Sequence, residues 1–164
     1  MSWIQPVTYD TATPEVKRLL DEKGIETLTR SRKAPYQLKN HVVYDAIEMN
    51  AWRMDDEVQR LVGKRYGDLL EYTVSKENGS VICAEYYKQC LIEQGIEPDS
   101  YAFQEKEQIV IDFAKAVASG KGNVPANVRE GLLKHFTEEQ VVVLAGMAII
   151  ANGDTLFERI FDLT

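Results

Sequence analysis

Cysteine, histidine and positive charge are all scarce in this 164-residue chain, and each shortage removes a class of explanation. Two cysteines and two histidines are too few for a convincing zinc site or a disulfide scaffold. Cys83 and Cys90 lie seven positions apart. On one straight helix their Cα atoms would be roughly 10 Å apart at ~1.5 Å rise per residue, beyond disulfide reach. No bridge between them is expected, and a reducing, cytoplasmic compartment fits. Residues 120–122, Gly-Lys-Gly, are too short for a phosphate loop and follow a helix rather than opening one. No flavin or nicotinamide motif is found, so no cofactor is expected. The longest apolar run, residues 141–151, is too short to cross a bilayer. Residues 1–6 lack the basic start and apolar stretch of a signal peptide. Lys and Arg number 19 against 26 Asp and Glu, for a net charge of -7. Such a surface repels phosphate, so neither nucleic acid nor anionic membrane is an expected partner. The one basic cluster, Arg30, Arg32 and Lys33, falls in a polar loop and reads as a solvated patch.

What the chain does contain is helix-sized apolar periodicity between glycine and proline stops. Thr13-Pro14-Glu15 reads as a helix start, with Thr13 as cap and proline in the first turn. A second helical stretch is predicted over 36–52, carrying Val42, Val43, Ala46, Ile47 and Ala51. Asp55, Asp56 and Glu57 supply the negative charge that suits a helix start. From there Val58, Leu61, Val62, Tyr66, Leu69, Leu70, Thr73 and Val74 step by three and four along one amphipathic helix, until Asn78-Gly79 stops it. Ser80 opens the next helix, which ends at Gly95. Further helices are expected over 103–119 and 125–135. Thr137 to Gln140 reads as a capping box before residues 141–151. Val141-Val142-Val143 alone would suit a strand, but the cap and the run length favour helix. Asn152-Gly153 is expected to break that helix before a short final one over 154–162. The sum is one all-α domain over 1–164, a compact bundle of six to eight helices.

The stretch able to carry chemistry runs from Asp68 to Tyr87. At about 100° per residue, Ser80, Cys83 and Tyr87 fall within roughly 60° of arc on one helix face. A cysteine in a first helical turn lies near unpaired N–H groups and the positive end of the dipole, which lowers its pKa. Asp68, on the preceding helix, can pack towards the same face. By spacing alone a small buried cysteine and a core-filling tyrosine explain the pattern better than catalysis does.

These residues resemble the carboxymuconolactone decarboxylase and alkylhydroperoxidase D superfamily. Its peroxidase members carry a glutamate, eleven residues, Cys-x-x-Cys, three residues and a histidine, often preceded by Asn-Asn or Asn-Gly. Here Asn78-Gly79 is retained, and the first cysteine position is Ser80. The second is Cys83, the histidine position is Tyr87, and the glutamate position is Asp68. The opening Ile4-x-Pro6 with Thr13-Pro14-Glu15-Val16, the Gly95-Ile96 ending and the Leu132-to-Val141 segment resemble the family as well, so about four-fifths of the chain is covered. The resemblance implies a helical subunit that assembles as a homotrimer or homohexamer, with the second cysteine attacking a small hydroperoxide and a thiol protein as reductant.

The departures change what that site can do. Ser80 cannot form the resolving disulfide, so an oxidised Cys83 needs an external thiol or Cys90 from elsewhere. Tyr87 is a poor base near neutral pH. Asp68 keeps the carboxylate on a shorter stem, and Glu71, one turn on, is the substitute. The expected activity is a thiol-dependent peroxidase with Cys83 as reactive group. The alternatives are a non-redox lyase acting on an organic acid through Asp68, Glu71, Glu85 and Tyr87, and an inactive oligomeric binding protein. His41 and His135 lie far from the motif and read as surface or capping residues.

Overall fold

Thr13 and Pro14 open the first helix as their order predicts. In the computed structural model, which describes residues 2–29, 31–119 and 122–163, α1 (Pro14–Lys23) is capped by Thr13 Oγ1, which accepts from the Val16 N–H at 3.3 Å. Val16 and Leu20 bury against Val7, Ala34, Leu38 and Tyr44, forming a small N-terminal core. The polar stretch that follows is only partly loop, since Ile25–Thr29 winds into a 3-10 turn.

The single helix expected over 36–52 is a relay of pieces. α2 (Ala34–Gln37) and α3 (His41–Tyr44) lead through a π-helical turn, Asp45–Met49, into α4 (Asn50–Leu61). Asp55, Asp56 and Glu57 therefore lie inside a helix and do not start one. The real break is Gly63, whose φ of 109° is a backbone that side chains disfavour. α5 (Lys64–Glu77) begins immediately after it. The long amphipathic pattern thus belongs to two helices, both facing one core that contains Val58, Leu70 and Val74. They cross closely at Gly67, where an added Cβ would come within 2.8 Å of Val58 Cγ1.

Asn78-Gly79 ends α5 in a Schellman turn. Gly79 has φ 70°, and the Ser80 and Gly79 N–H groups bond back to the Ser75 and Lys76 carbonyls at 2.9 and 3.1 Å. α6 (Val81–Glu93) ends the same way, with the Ile96 N–H on the Leu91 carbonyl at 2.9 Å. Leu91 and Ile96 then share a buried cluster with Leu69 and Ile111. α7 (Glu105–Ala118) precedes the segment whose glycines were expected to stop it, of which 120 and 121 lie outside the described residues. α8 (Ala126–His135) follows.

α9 (Glu138–Ile160) opens on the expected Thr137–Gln140 capping box, and Val141 to Val143 are helical. The expected break at Asn152-Gly153 does not occur. An interior glycine costs a helix about 1 kcal/mol. That is small beside the burial of Met147, Ala148 and Ala151 on the same helix. Asn152 is also tied down, its Oδ1 accepting from Asn78 Nδ2 at 2.8 Å. By length and composition α9 would suffice to cross a membrane, which revises the reading of residues 141–151 as a short run. In this structure it packs along α4 and α5 and contributes Leu144, Met147, Ala148 and Ala151 to the main core.

The result is all-α, with no strand among the described residues and seven helices of ten residues or more. α5 is the central element, with α4, α6, α7 and α9 packed around it. This arrangement brings one end of α9 to the start of α6.

Candidate functional site

Asn78 sets the site geometry. Its Nδ2 donates to Asn152 Oδ1 and Thr155 Oγ1, each at 2.8 Å, pinning the α5–α6 turn to α9. Ser80, the next residue but one, opens α6 as expected, but its hydroxyl does not cap the helix. Instead its fully buried Oγ donates to Glu158 Oε2 on α9. One turn along, Cys83 Sγ donates to the other oxygen, Glu158 Oε1, at 3.2 Å.

Cys83 opens onto a pocket of about 520 Å3, within the size range of small-molecule sites. Its walls come from Thr29, residues 31–33, the π-helical turn and α4, Glu71 on α5, one side of α6, and α9. Ile82, Met147, Ile150 and Ala151 provide apolar lining.

Lys33 corrects the reading of a solvated basic patch. Its side chain is buried at the pocket wall, ion-paired to Asp154 and 3.7 Å from Glu158 Oε1. Its ammonium also donates to Cys83 Sγ at 3.9 Å. Burial opposes the charge on Lys33, yet Asp154, Cys83 and Glu158 together raise its pKa above the ordinary lysine value. Arg32 lines the same pocket, and Arg30 lies outside the described residues.

The expected acidification of Cys83 is overturned. Burial pushes the thiol up to about 12, and the neighbouring Glu158 adds to the rise, while Lys33 opposes it. Desolvation of a thiolate outweighs the start of a helix here. At neutral pH Cys83 is a thiol.

Asp68 is also displaced from its expected role. It is buried, but turned away from the pocket, accepting from Lys64 Nζ at 2.7 Å and Gln94 Nε2 at 2.5 Å. The carboxyl that meets Tyr87 is Glu71, one helical turn on, which accepts from the phenol at 2.6 Å. Glu71 is almost wholly buried, and desolvation pushes its pKa up to about 8. Its second oxygen, Oε2, is buried without a hydrogen-bond partner, at the pocket wall. Tyr87 is held well above its ordinary pKa by burial and by Glu71. Of the predicted residues, Cys83, Tyr87 and Glu71 line one pocket, Ser80 supports it from behind, and Asp68 and Glu85 do not line it.

Lys33, Asp154, Glu158, Glu48 and Asp55 were not foreseen as site residues, although all line the pocket. A signal existed for two of them. Asp154 and Glu158 stand four apart, hence on one face, at the end of the most apolar segment of the chain. Lys33 carried none, since one cation in a basic cluster looks solvated until the fold buries it. Neither histidine lines the pocket. Among the described residues no group of three or more His, Cys, Asp or Glu is placed to hold a metal ion.

Comparison with known proteins adds nothing to this geometry: no family model, curated protein or solved structure matches the chain.

Proposed function

We propose that the chain is a thiol-dependent peroxidase in which Cys83 reduces a small hydroperoxide. One observation carries the reading: Cys83 Sγ lies on the wall of an open pocket, bonded to a carboxylate that can take its proton. Glu158 accepts the thiol proton and the thiolate attacks the distal oxygen of the hydroperoxide. A sulfur–oxygen bond forms, the O–O bond breaks, and Cys83 becomes a sulfenic acid. The departing alkoxide takes a proton from Glu71, which is protonated below pH 8 and has Oε2 free to donate. Proton return from Glu158 to Glu71 resets both groups, so the sum is thiol plus hydroperoxide giving sulfenic acid plus alcohol.

Both cysteines are free, and Cys90 does not line the pocket. Recovery therefore falls to an external thiol. The first equivalent forms a mixed disulfide and water, and the second releases Cys83 as the thiol. The lining favours an uncharged substrate. With Glu71 neutral, Glu48, Asp55, Asp154 and Glu158 face only Lys33 and Arg32, so an organic acid anion would enter against the local field. That balance ranks the peroxidase above a lyase acting on an organic acid.

The test compares hydroperoxide consumption with dithiothreitol as reductant. Cys83→Ala is expected to fall to the uncatalysed rate and Cys90→Ala to keep the parent rate. Equal rates for parent and Cys83→Ala would remove the thiol from the reaction. A non-redox acid–base enzyme built on the Glu71–Tyr87 pair is the second reading, and it would keep its activity after Cys83 is alkylated.

The self-association implied by the family resemblance is also proposed. Val142, Ile149 and Leu156 repeat at seven-residue intervals along α9, and all three are exposed. Such a seam suits packing against another helix.

A further inference from the structure

We propose that Lys33 is a further catalytic residue, its ammonium serving as the fixed counter-charge of the Cys83 thiolate. This rests on the peroxidase reading of the same pocket and adds to it the group that makes a buried thiol usable. The case begins with a difficulty: a sulfur desolvated to this degree does not ionise into bulk water near neutral pH.

The geometry offers another route. Lys33 Nζ lies 3.9 Å from Cys83 Sγ and 3.7 Å from Glu158 Oε1, and Cys83 Sγ lies 3.2 Å from that same oxygen. The three atoms form a triangle with the cation at one corner. When the Sγ–H bond breaks and an Oε1–H bond forms, the negative charge moves from one neighbour of the ammonium to the other. The net charge of the cluster is unchanged, and no isolated charge is left in a low-dielectric wall. The transfer is thereby far easier than ionisation to solvent.

Other groups facing the sulfur do not offer this. Glu158 and Asp154 come from α9, Glu71 from α5, and Tyr87 from the same helix as Cys83. Glu158 and Asp154 are acids, and Glu71 and Tyr87, protonated at neutral pH, supply no counter-charge. Lys33 is the cation in contact with the sulfur.

A second role for the amine, as a nucleophile on the sulfenic acid, is ruled out by the same neighbours. Asp154 and Glu158 hold Lys33 in its charged form, and an ammonium has no lone pair to give. Asp154 pairs with Lys33 through Oδ2 and keeps the cation at the wall, so it acts as a positioning residue.

The test uses the full chain in a Cys90→Ala background, so that iodoacetamide reports Cys83 alone. Alkylation rates are taken from pH 7 to pH 10 for the parent, Lys33→Arg, Lys33→Met and the double variant Lys33→Met/Asp154→Asn. The double variant removes both ends of the ion pair, which guards against misfolding around an unpaired buried carboxylate. The expected result is a line of log rate against pH displaced downward by about tenfold or more, one pKa unit, in both methionine variants. Lys33→Arg should stay near the parent. Lines that superimpose on the parent would overturn the proposal. Hydroperoxide consumption is followed in the same preparations. A parent that shows the Lys33-dependent displacement yet consumes no peroxide would defeat the peroxidase reading alone, so the two failures are distinguishable.

Discussion

Glu71 shows how strongly environment governs a single side chain in this protein. Its carboxyl is protonated in the fold up to about pH 8, because burial disfavours the charge, whereas an unfolded chain would lose the proton near 4.5. The sign follows from linkage. Between those values the folded state holds a proton that the unfolded state has released, so stability falls as pH rises. The slope is about 1.4 kcal/mol per pH unit for one group, and the contribution is present in full only below the unfolded pKa. Glu71→Gln keeps an acceptor for Tyr87 but removes this titration. Urea unfolding at pH 5 and pH 8 should show the variant gaining on the parent by a few kcal/mol at the higher pH. An unchanged difference between the two would mean that Glu71 is ionised in the fold. The same substitution should slow peroxide reduction most below pH 8, where the parent carries its proton.

The residues of the site were unequally legible. Cys83 and Tyr87 could be placed on one face from helical spacing, whereas Glu71 entered only as the substitute for Asp68. The error over Asp68 was a matter of rotation. One helical turn separates it from Glu71, and only the packing of α5 on α6 decides which carboxylate meets the phenol. The protonation state of Cys83 was misjudged for a different reason. A helix start is a local feature, whereas desolvation depends on every segment that closes over the sulfur.

At the scale of elements, caps and the glycine stop at Asn78-Gly79 read well. Thr13, Thr137 and Asn78-Gly79 act within a few residues of themselves, so no tertiary knowledge is needed to interpret them. Breaks inside apolar periodicity read badly. The pattern from Val58 to Val74 continued smoothly through Gly63 because two helices present the same face to one core. Asn152-Gly153 looked like a stop, yet α9 passes through it. Gly153 has helical backbone and open space where a Cβ would go. Gly153→Ala should therefore stabilise the protein by up to about 1 kcal/mol, measured as a raised urea midpoint with an unchanged slope. A lower midpoint would indicate that α9 does bend there.

For the whole molecule, the long apolar α9 has two faces with different tasks. One carries Leu144, Met147, Ala148 and Ala151 into the main core and, further along, Asp154 and Glu158 to the pocket. The other leaves Val142, Ile149 and Leu156 exposed. If that seam joins copies of the chain, Ile149→Glu should convert the assembly to monomer in sedimentation velocity while helical content by circular dichroism stays the same. A parent that already sediments as a monomer would remove the self-association proposal. The Cys83 pocket is lined by other residues of α9, so alkylation of the thiol in the monomeric variant also tests whether the site is complete within one subunit.

Sequence alone determined what is encoded over short distances: helical class, most caps, and the shared face of Cys83 and Tyr87. These follow from backbone geometry and hydrogen bonds that close within a turn or two. Tertiary structure alone decided the charge cluster around the sulfur. Lys33 meets Asp154 and Glu158 across more than a hundred residues of chain, and no local pattern encodes that meeting. It also decided which acid is neutral and which thiol is silent, because those states depend on how much water the fold removes.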